Sequence, residues 1–112
     1  MAATQLTAQQ ITVAGLSPTF EACNVDGNYF LNDTGRYFIR VKNTDSADKV
    51  VHIASPNACS QGYTHPVDVT IPAGQTIDIG EFEVSRFNDS NNYVQLTYTS
   101  GVTGLTIALL KT

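Results

Sequence analysis

The sequence predicts an all-β domain: a single β-sandwich, jelly-roll or Ig-like, of about seven or eight antiparallel strands. Three observations predict it. Short runs rich in β-branched and aromatic residues recur every ~8–14 residues, between turns of Gly, Pro, Asn and Asp. Several runs alternate with period 2, most clearly residues 36–43, RYFIRVKN. No stretch keeps a helical period over three turns. At 112 residues the chain is one domain, and 42% apolar against 14% charged residues argues against disorder. The expected organisation is a flexible N-terminal arm over residues 1–10 and a sandwich over residues 11–112.

The elements follow in order. Residues 1–10 are polar, with Leu6 the only large apolar side chain after Met1. Ile11, Val13 and Leu16 open the patterned region, punctuated by Gly15 and Pro18, and Thr19–Cys23 reads as a short strand. Asp26-Gly27 and Asn32–Gly35 are turns around Tyr29-Phe30-Leu31. In the next strand Tyr37, Ile39 and Val41 face inward while Arg36, Phe38, Arg40 and Lys42 face out. Lys49–Ala54 follows, with Val51 and Ile53 as core residues. Ser55–Pro66 is a long loop and a candidate for function. Val67, Val69 and Ile71 face inward on the next strand, Pro72–Gly74 turns, and Thr76–Val84 is a strand bent or bulged at Gly80. After a polar loop containing Phe87, the chain closes on an expected hairpin, Tyr93–Thr99 with Leu105–Leu110, joined by the turn Ser100–Gly104.

The net charge of −4 disfavours nucleic acid, whose phosphates call for a Lys/Arg surface. Arg36, Arg40, Lys42 and Lys49 do cluster in sequence, which reads as a solvated strand face. No run reaches the ~18 apolar residues of a membrane span. Residues 1–15 lack the charged and apolar regions of a signal peptide, so the expectation is a reducing cytosol, or a mature form with its signal removed. Cys23 and Cys59 read either as two half-buried thiols or as one disulfide.

Catalytic and metal constellations are not supported, and the chain is not expected to be an enzyme. His52 is expected to face solvent, opposite in parity to Val51 and Ile53; His65 lies in a loop. Cys59 with His65 has no supporting motif, and Cys23, Cys59, His52 and His65 lack zinc-ligand spacing. Glu81 and Glu83, near Asp78, read as a solvated acidic patch. Asn32-Asp33-Thr34 and Asn88-Asp89-Ser90 fit the glycosylation acceptor pattern. No catalytic, cofactor-binding or metal-binding residue is therefore expected. Phe38, Tyr63 and Phe87 are the aromatics expected at the surface, where a cluster would suit a protein interface.

The order of three segments resembles a family of small structural proteins of tailed bacteriophages, encoded beside the major capsid protein. They are LTAQQITVAGLSPTFEACNVDGNYFLNDTGRYFIRVKN, VTIPAGQTIDIGEF and RFNDSNNYVQLTYTSGVTGLTIALLK, together most of the chain. The resemblance implies a head decoration (cement) protein on the outside of the capsid, made in the host cytoplasm. It also implies the major capsid protein as partner and a homo-oligomer, a trimer, with no cofactor, nucleic acid or membrane. The family's usual Gly-Pro-Phe is Gly80-Glu81-Phe82 here, so a continuous strand is expected in place of a turn. Expected contact residues are Leu6, Gln9, Gln10 and Ile11 on the arm, with Tyr63, Arg86 and Phe87 in loops. The alternatives are a secreted carbohydrate- or cell-surface-binding sandwich and a head–tail joining or tail structural protein.

Overall fold

The structure, a computed structural model, describes residues 3–57, 61–62, 64 and 66–111. Its strands are β1 (Thr4–Gln5), β2 (Ala8–Gln10), β3 (Glu21–Ala22), β4 (Asn28–Leu31), β5 (Tyr37–Asn43), β6 (Lys49–Ile53), β7 (Val67–Ile71), β8 (Thr76–Gly80), β9 (Tyr93–Tyr98) and β10 (Leu105–Lys111). One helical turn, α1 (Val84–Phe87), interrupts them. The strands form two five-stranded sheets. Sheet I has the order β1-β4-β9-β6-β7, and sheet II has β2-β10-β5-β8 with β3 also on β10.

The period-2 runs place the core where the sequence predicts. Tyr37, Ile39 and Val41 of β5 and Val51 and Ile53 of β6 are buried, while His52 and Arg40 on the opposite parity are half exposed. Phe30, Val94 and Leu96 from sheet I meet Leu105, Ile107 and Leu109 from sheet II in one apolar cluster. Phe82 seals one end of it, its ring 5.4 Å from Phe30 and 5.7 Å from Phe87.

The terminal hairpin does not form. β9 and β10 are consecutive but lie in opposite sheets, β9 between β4 and β6, and β10 against β5. Residues 100–104 are an arch across the sandwich. Their polar groups bond to the β5–β6 loop and to β6: the Gly104 carbonyl accepts from the Thr44 amide at 2.8 Å, and Ser100 Oγ accepts from the Val50 amide at 2.9 Å. Gly104 has φ +70, and a Cβ there would lie 2.8 Å from the Asp45 nitrogen. The two runs are both apolar on one face because they line one core from its two sides, a pattern a hairpin would share.

The N-terminal arm is also corrected. β1 pairs parallel to β4 at the edge of sheet I, and β2 pairs parallel to β10 at the edge of sheet II, so both sheets are mixed rather than wholly antiparallel. Between them Leu6 is only 3% exposed, and its amide donates to the Tyr29 carbonyl at 2.8 Å. The segment crosses from one sheet to the other and closes that side of the sandwich with a single leucine. The strand expected over 76–84 ends at Gly80, where φ is +149 and a Cβ would meet Phe38 at 2.5 Å. The chain then turns Phe82 inward and enters α1.

Leu6→Ala is expected to destabilise the fold by about 2–5 kcal/mol, the range for a buried leucine truncated in a core. Deleting residues 1–10 removes β1 and β2 as well and is expected to lower the denaturation midpoint further. Urea unfolding followed by circular dichroism reads both, and unchanged midpoints contradict the stitched N-terminus.

Candidate interaction surface

After β2 the chain leaves the free edge of β10, makes a ten-residue excursion over residues 11–20, and returns to the same edge as β3. Its two ends are held together. Gln9 Nε2 donates to the Thr19 carbonyl and Gln9 Oε1 accepts from the Thr19 amide, both at 2.9 Å. The Ile11 amide donates to the Lys111 carbonyl at 2.9 Å, and Gln10 Nε2 donates to the Ile11 carbonyl at 3.0 Å. Within the loop the Gly15 amide closes a turn on the Thr12 carbonyl at 3.0 Å, with Gly15 at φ +92. That turn pushes Val13 fully into solvent, with Ile11 and Leu16 a little over a third exposed. Residues 11–19, ITVAGLSPT, carry no charge.

The outer face of β10 is also covered. Ala108 and Leu110 have outward parity on β10, yet they are 2% and 1% exposed. Gln9 lies opposite Leu110 in register, so its side chain stands on that outer face and holds Thr19 there. Beside the loop's base a pocket of about 220 Å³ opens between the sheets, lined chiefly by Leu6, Ala8, Leu31, Tyr37 and Leu109. Leu31 on its rim is 40% exposed. Tyr37 is turned by its hydroxyl, which donates to Asp33 Oδ1 at 2.8 Å.

Of the expected contact residues, Ile11 lies on this surface. Leu6 and Phe87 are buried in the core at 3% and 8% exposure, because each fills a gap between the sheets. Gln9 and Gln10 are spent in holding the loop. Arg86 lies over the Phe87 ring at 4.7 Å, and its carbonyl accepts from Ser55 Oγ. Tyr63, Cys59 and His65 lie outside the described residues. Val13, Leu16 and Leu31 were not singled out as contacts by sequence reasoning. The signal for Val13 and Leu16 was an apolar, uncharged, Gly/Pro-punctuated stretch; Leu31, at the end of β4, had none.

Other candidates resolve into structure. The basic cluster is not an open patch: Arg40 makes a two-pronged contact with Asp78 at 2.8 and 3.2 Å, and Lys49 is buried with its ammonium 2.9 Å from Asp45. Lys49 is therefore not on the solvated face; it shares parity with Val51 at the end of β6. His52 Nδ1 lies 2.6 Å from Asp68 Oδ1 across β6 and β7, exposed on sheet I. Glu81 and Glu83 are exposed but follow the end of β8, so they share no strand face. Both glycosylation patterns lie on buried asparagines, Asn32 at 0% and Asn88 at 4% exposure. Asn32 Nδ2 donates to Asn88 Oδ1 at 2.8 Å and Asn88 Nδ2 to the Asn32 carbonyl at 2.6 Å, so neither amide is presented for modification. On the outer face of sheet I, Tyr29 and Tyr93 meet edge to face at 5.0 Å, beside Gln95.

Cys23 is a buried free thiol close to Tyr98. Burial pushes the thiol up to about 11, against an opposing hydrogen bond with Tyr98. Tyr98 is raised as well, first by burial and then by Cys23. An unfolded thiol ionises near about 8.5. Above that pH the unfolded chain releases a proton that the folded chain keeps, so the contribution of Cys23 is constant below about pH 8.5 and falls as pH rises toward 11. Thermal melts across this range are expected to show the fall, with a shallower slope in Cys23→Ala; an unchanged slope contradicts the assignment. Comparison with protein-family models, curated proteins and solved structures finds no match to this chain.

Proposed function

We propose that this protein is a non-catalytic structural protein of a tailed bacteriophage, a decoration (cement) protein that binds the outside of the assembled capsid. The reading rests on the order of the three family-like segments and on the two-sheet sandwich into which they fold. The observation that carries it is the clamped loop over residues 11–20. It presents Ile11, Val13 and Leu16 without a charge, from a base fixed at both ends. A loop ordered in advance loses little entropy on binding, so a small apolar contact retains more of its free energy. Repetition over a shell multiplies such contacts, and a ligand that binds only the assembled state stabilises that state. The contact element in this reading is the loop and not a free arm, since residues 4–10 are committed to the sheets.

A second reading, a carbohydrate-binding sandwich, is favoured by the tyrosine pair on the open face of sheet I, where Tyr29 and Tyr93 adjoin the amide of Gln95. A glycan array separates the two.

Purified protein mixed with expanded shells of the major capsid protein encoded beside it is expected to co-sediment and to raise the shells' melting temperature. Leu16→Asp is expected to weaken that binding by about tenfold, equivalent to about 1.4 kcal/mol. Absence of co-sedimentation by the folded wild-type protein overturns the proposal.

A further inference from the structure

We propose that the free edge of β8 receives an extended strand from a partner molecule, antiparallel to Thr76–Gly80 and basic at the end that meets Glu81 and Glu83. β8 lies at the end of sheet II, paired with β5 on one side only. The Asn43 amide donates to the Gln75 carbonyl at 3.0 Å. Antiparallel bonding alternates along a strand, so this register turns the backbone of Gln75, Ile77 and Ile79 toward β5. The amides and carbonyls of Thr76 and Asp78 then point away from the sheet. Among the described residues, none of the four has a hydrogen-bond partner.

The usual protections of an edge are missing from it. The strand, TIDIG, holds no lysine and no proline. Its one charged side chain, Asp78, is drawn toward β5 by Arg40 at 2.8 and 3.2 Å, away from the edge. The core is thin here as well. Ile77 and Ile79 face inward but stay half-buried, while Ile39 and Val41 opposite them on β5 are 0% exposed. The other edge of sheet II is closed by β2 and by the crossing at Leu6. A strand added to β8 bonds Thr76 and Asp78 through its backbone. Its alternate side chains lie beside Ile77 and Ile79.

Charge selects the occupant. Glu81 and Glu83 are exposed just beyond the Gly80 end and form no ion pair among the described residues. Lys42 is exposed at the other end, opposite Thr76 in register. The edge is therefore acidic at one end and basic at the other. An antiparallel strand complements it with Lys or Arg in its N-terminal half and neutral or acidic residues after them. A second copy of this chain does not fit. Its own edge strands β1, β2, β7 and β8 hold no lysine or arginine, and a net charge of −4 opposes the approach. The contact lies across sheet II from the 11–20 loop and stands independently of the capsid reading.

Synthetic peptides with blocked ends test it on the purified full-length chain. The peptide KVKVTVT is expected to bind and, at saturation, to slow hydrogen exchange of the Thr76 and Asp78 amides by about tenfold. EVEVTVT is expected to bind about tenfold more weakly. KVKVTVT methylated on the alternate backbone nitrogens that meet β8 is expected to lose binding. Glu81→Lys combined with Glu83→Lys, both at exposed positions, is expected to reverse the preference between the first two peptides. Should that variant lose its circular dichroism spectrum, the wild-type preference is read in about 0.5 M salt, where it is expected to shrink. No binding of KVKVTVT, equal binding of the three peptides, an unreversed or salt-independent preference, or slowed exchange confined to residues outside β8 overturns the inference. So does slowing at Thr76 and Asp78 that grows with protein concentration without peptide, the mark of a second copy at the edge. Shell co-sedimentation is scored separately: a chain that binds shells but not the peptide defeats this contact and leaves the capsid reading intact, and the opposite result does the reverse.

Discussion

The register of β2 against β10 is the constraint on which the N-terminal half of the molecule depends. Ala8 lies opposite Leu109 and packs on the core, while Gln9 lies opposite Leu110 on the outer face. From there Gln9 clamps Thr19 and ties the end of the 11–20 loop to the outer face of the sheet. A slip of one residue would exchange these roles. The Gln9 amide would then enter an apolar core without its two partners, a cost of a few kcal/mol, and the loop would lose its anchor. The same register sets how much chain remains to cross between the sheets, and hence that Leu6 reaches the gap it fills. Fold closure and surface presentation thus rest on one short parallel pairing.

The central strands were legible because burial on one face imposes period 2, and Arg36–Asn43, Lys49–Ile53 and Val67–Ile71 obey it. The N-terminal strands were not. Thr4–Gln5 and Ala8–Gln10 join the sheets through backbone groups, which every residue carries, and their polar side chains reflect edge positions rather than solvation of a free arm. The closing strands show a different limit. Their pattern fixes that each has one apolar face, but the same pattern serves a hairpin within a sheet and an arch between sheets. What decides is the partner of residues 100–104, and that partner, the Thr44–Val50 region, is distant in sequence.

The asparagines illustrate why a residue type that marks turns can also mark their anchoring. Asn28, Asn32, Asn43 and Asn88 are all buried, each with its amide bonded to backbone or to another side chain. Asn43 Nδ2 donates to the Ala47 and Ile71 carbonyls at 2.9 and 3.0 Å, and its Oδ1 accepts from the Asp45 amide. A side chain with two donors and an acceptor satisfies loop backbone that the sheets leave unpaired. Sequence reading sees only a polar residue near a turn. The acceptor pattern that Asn32 and Asn88 fit is an accidental match: they bond to each other across 56 positions.

Charge pairing gives the surface its polarity. The cross-strand pair Arg40–Asp78 is exposed and worth no more than about 1 kcal/mol, so its contribution to stability is small. Its larger effect is on where charge lies. Arg40–Asp78 stands on the outer face of sheet II, His52–Asp68 on that of sheet I, and Lys49–Asp45 at the end of β6 near the arch. The end that carries the loop tip and the pocket has none of these pairs in its lining. Contact made there strips no ion of its water, so it carries little desolvation cost. Neutrality and a fixed apolar tip reinforce each other: the first lets a partner approach, and the second gives it a shape to hold.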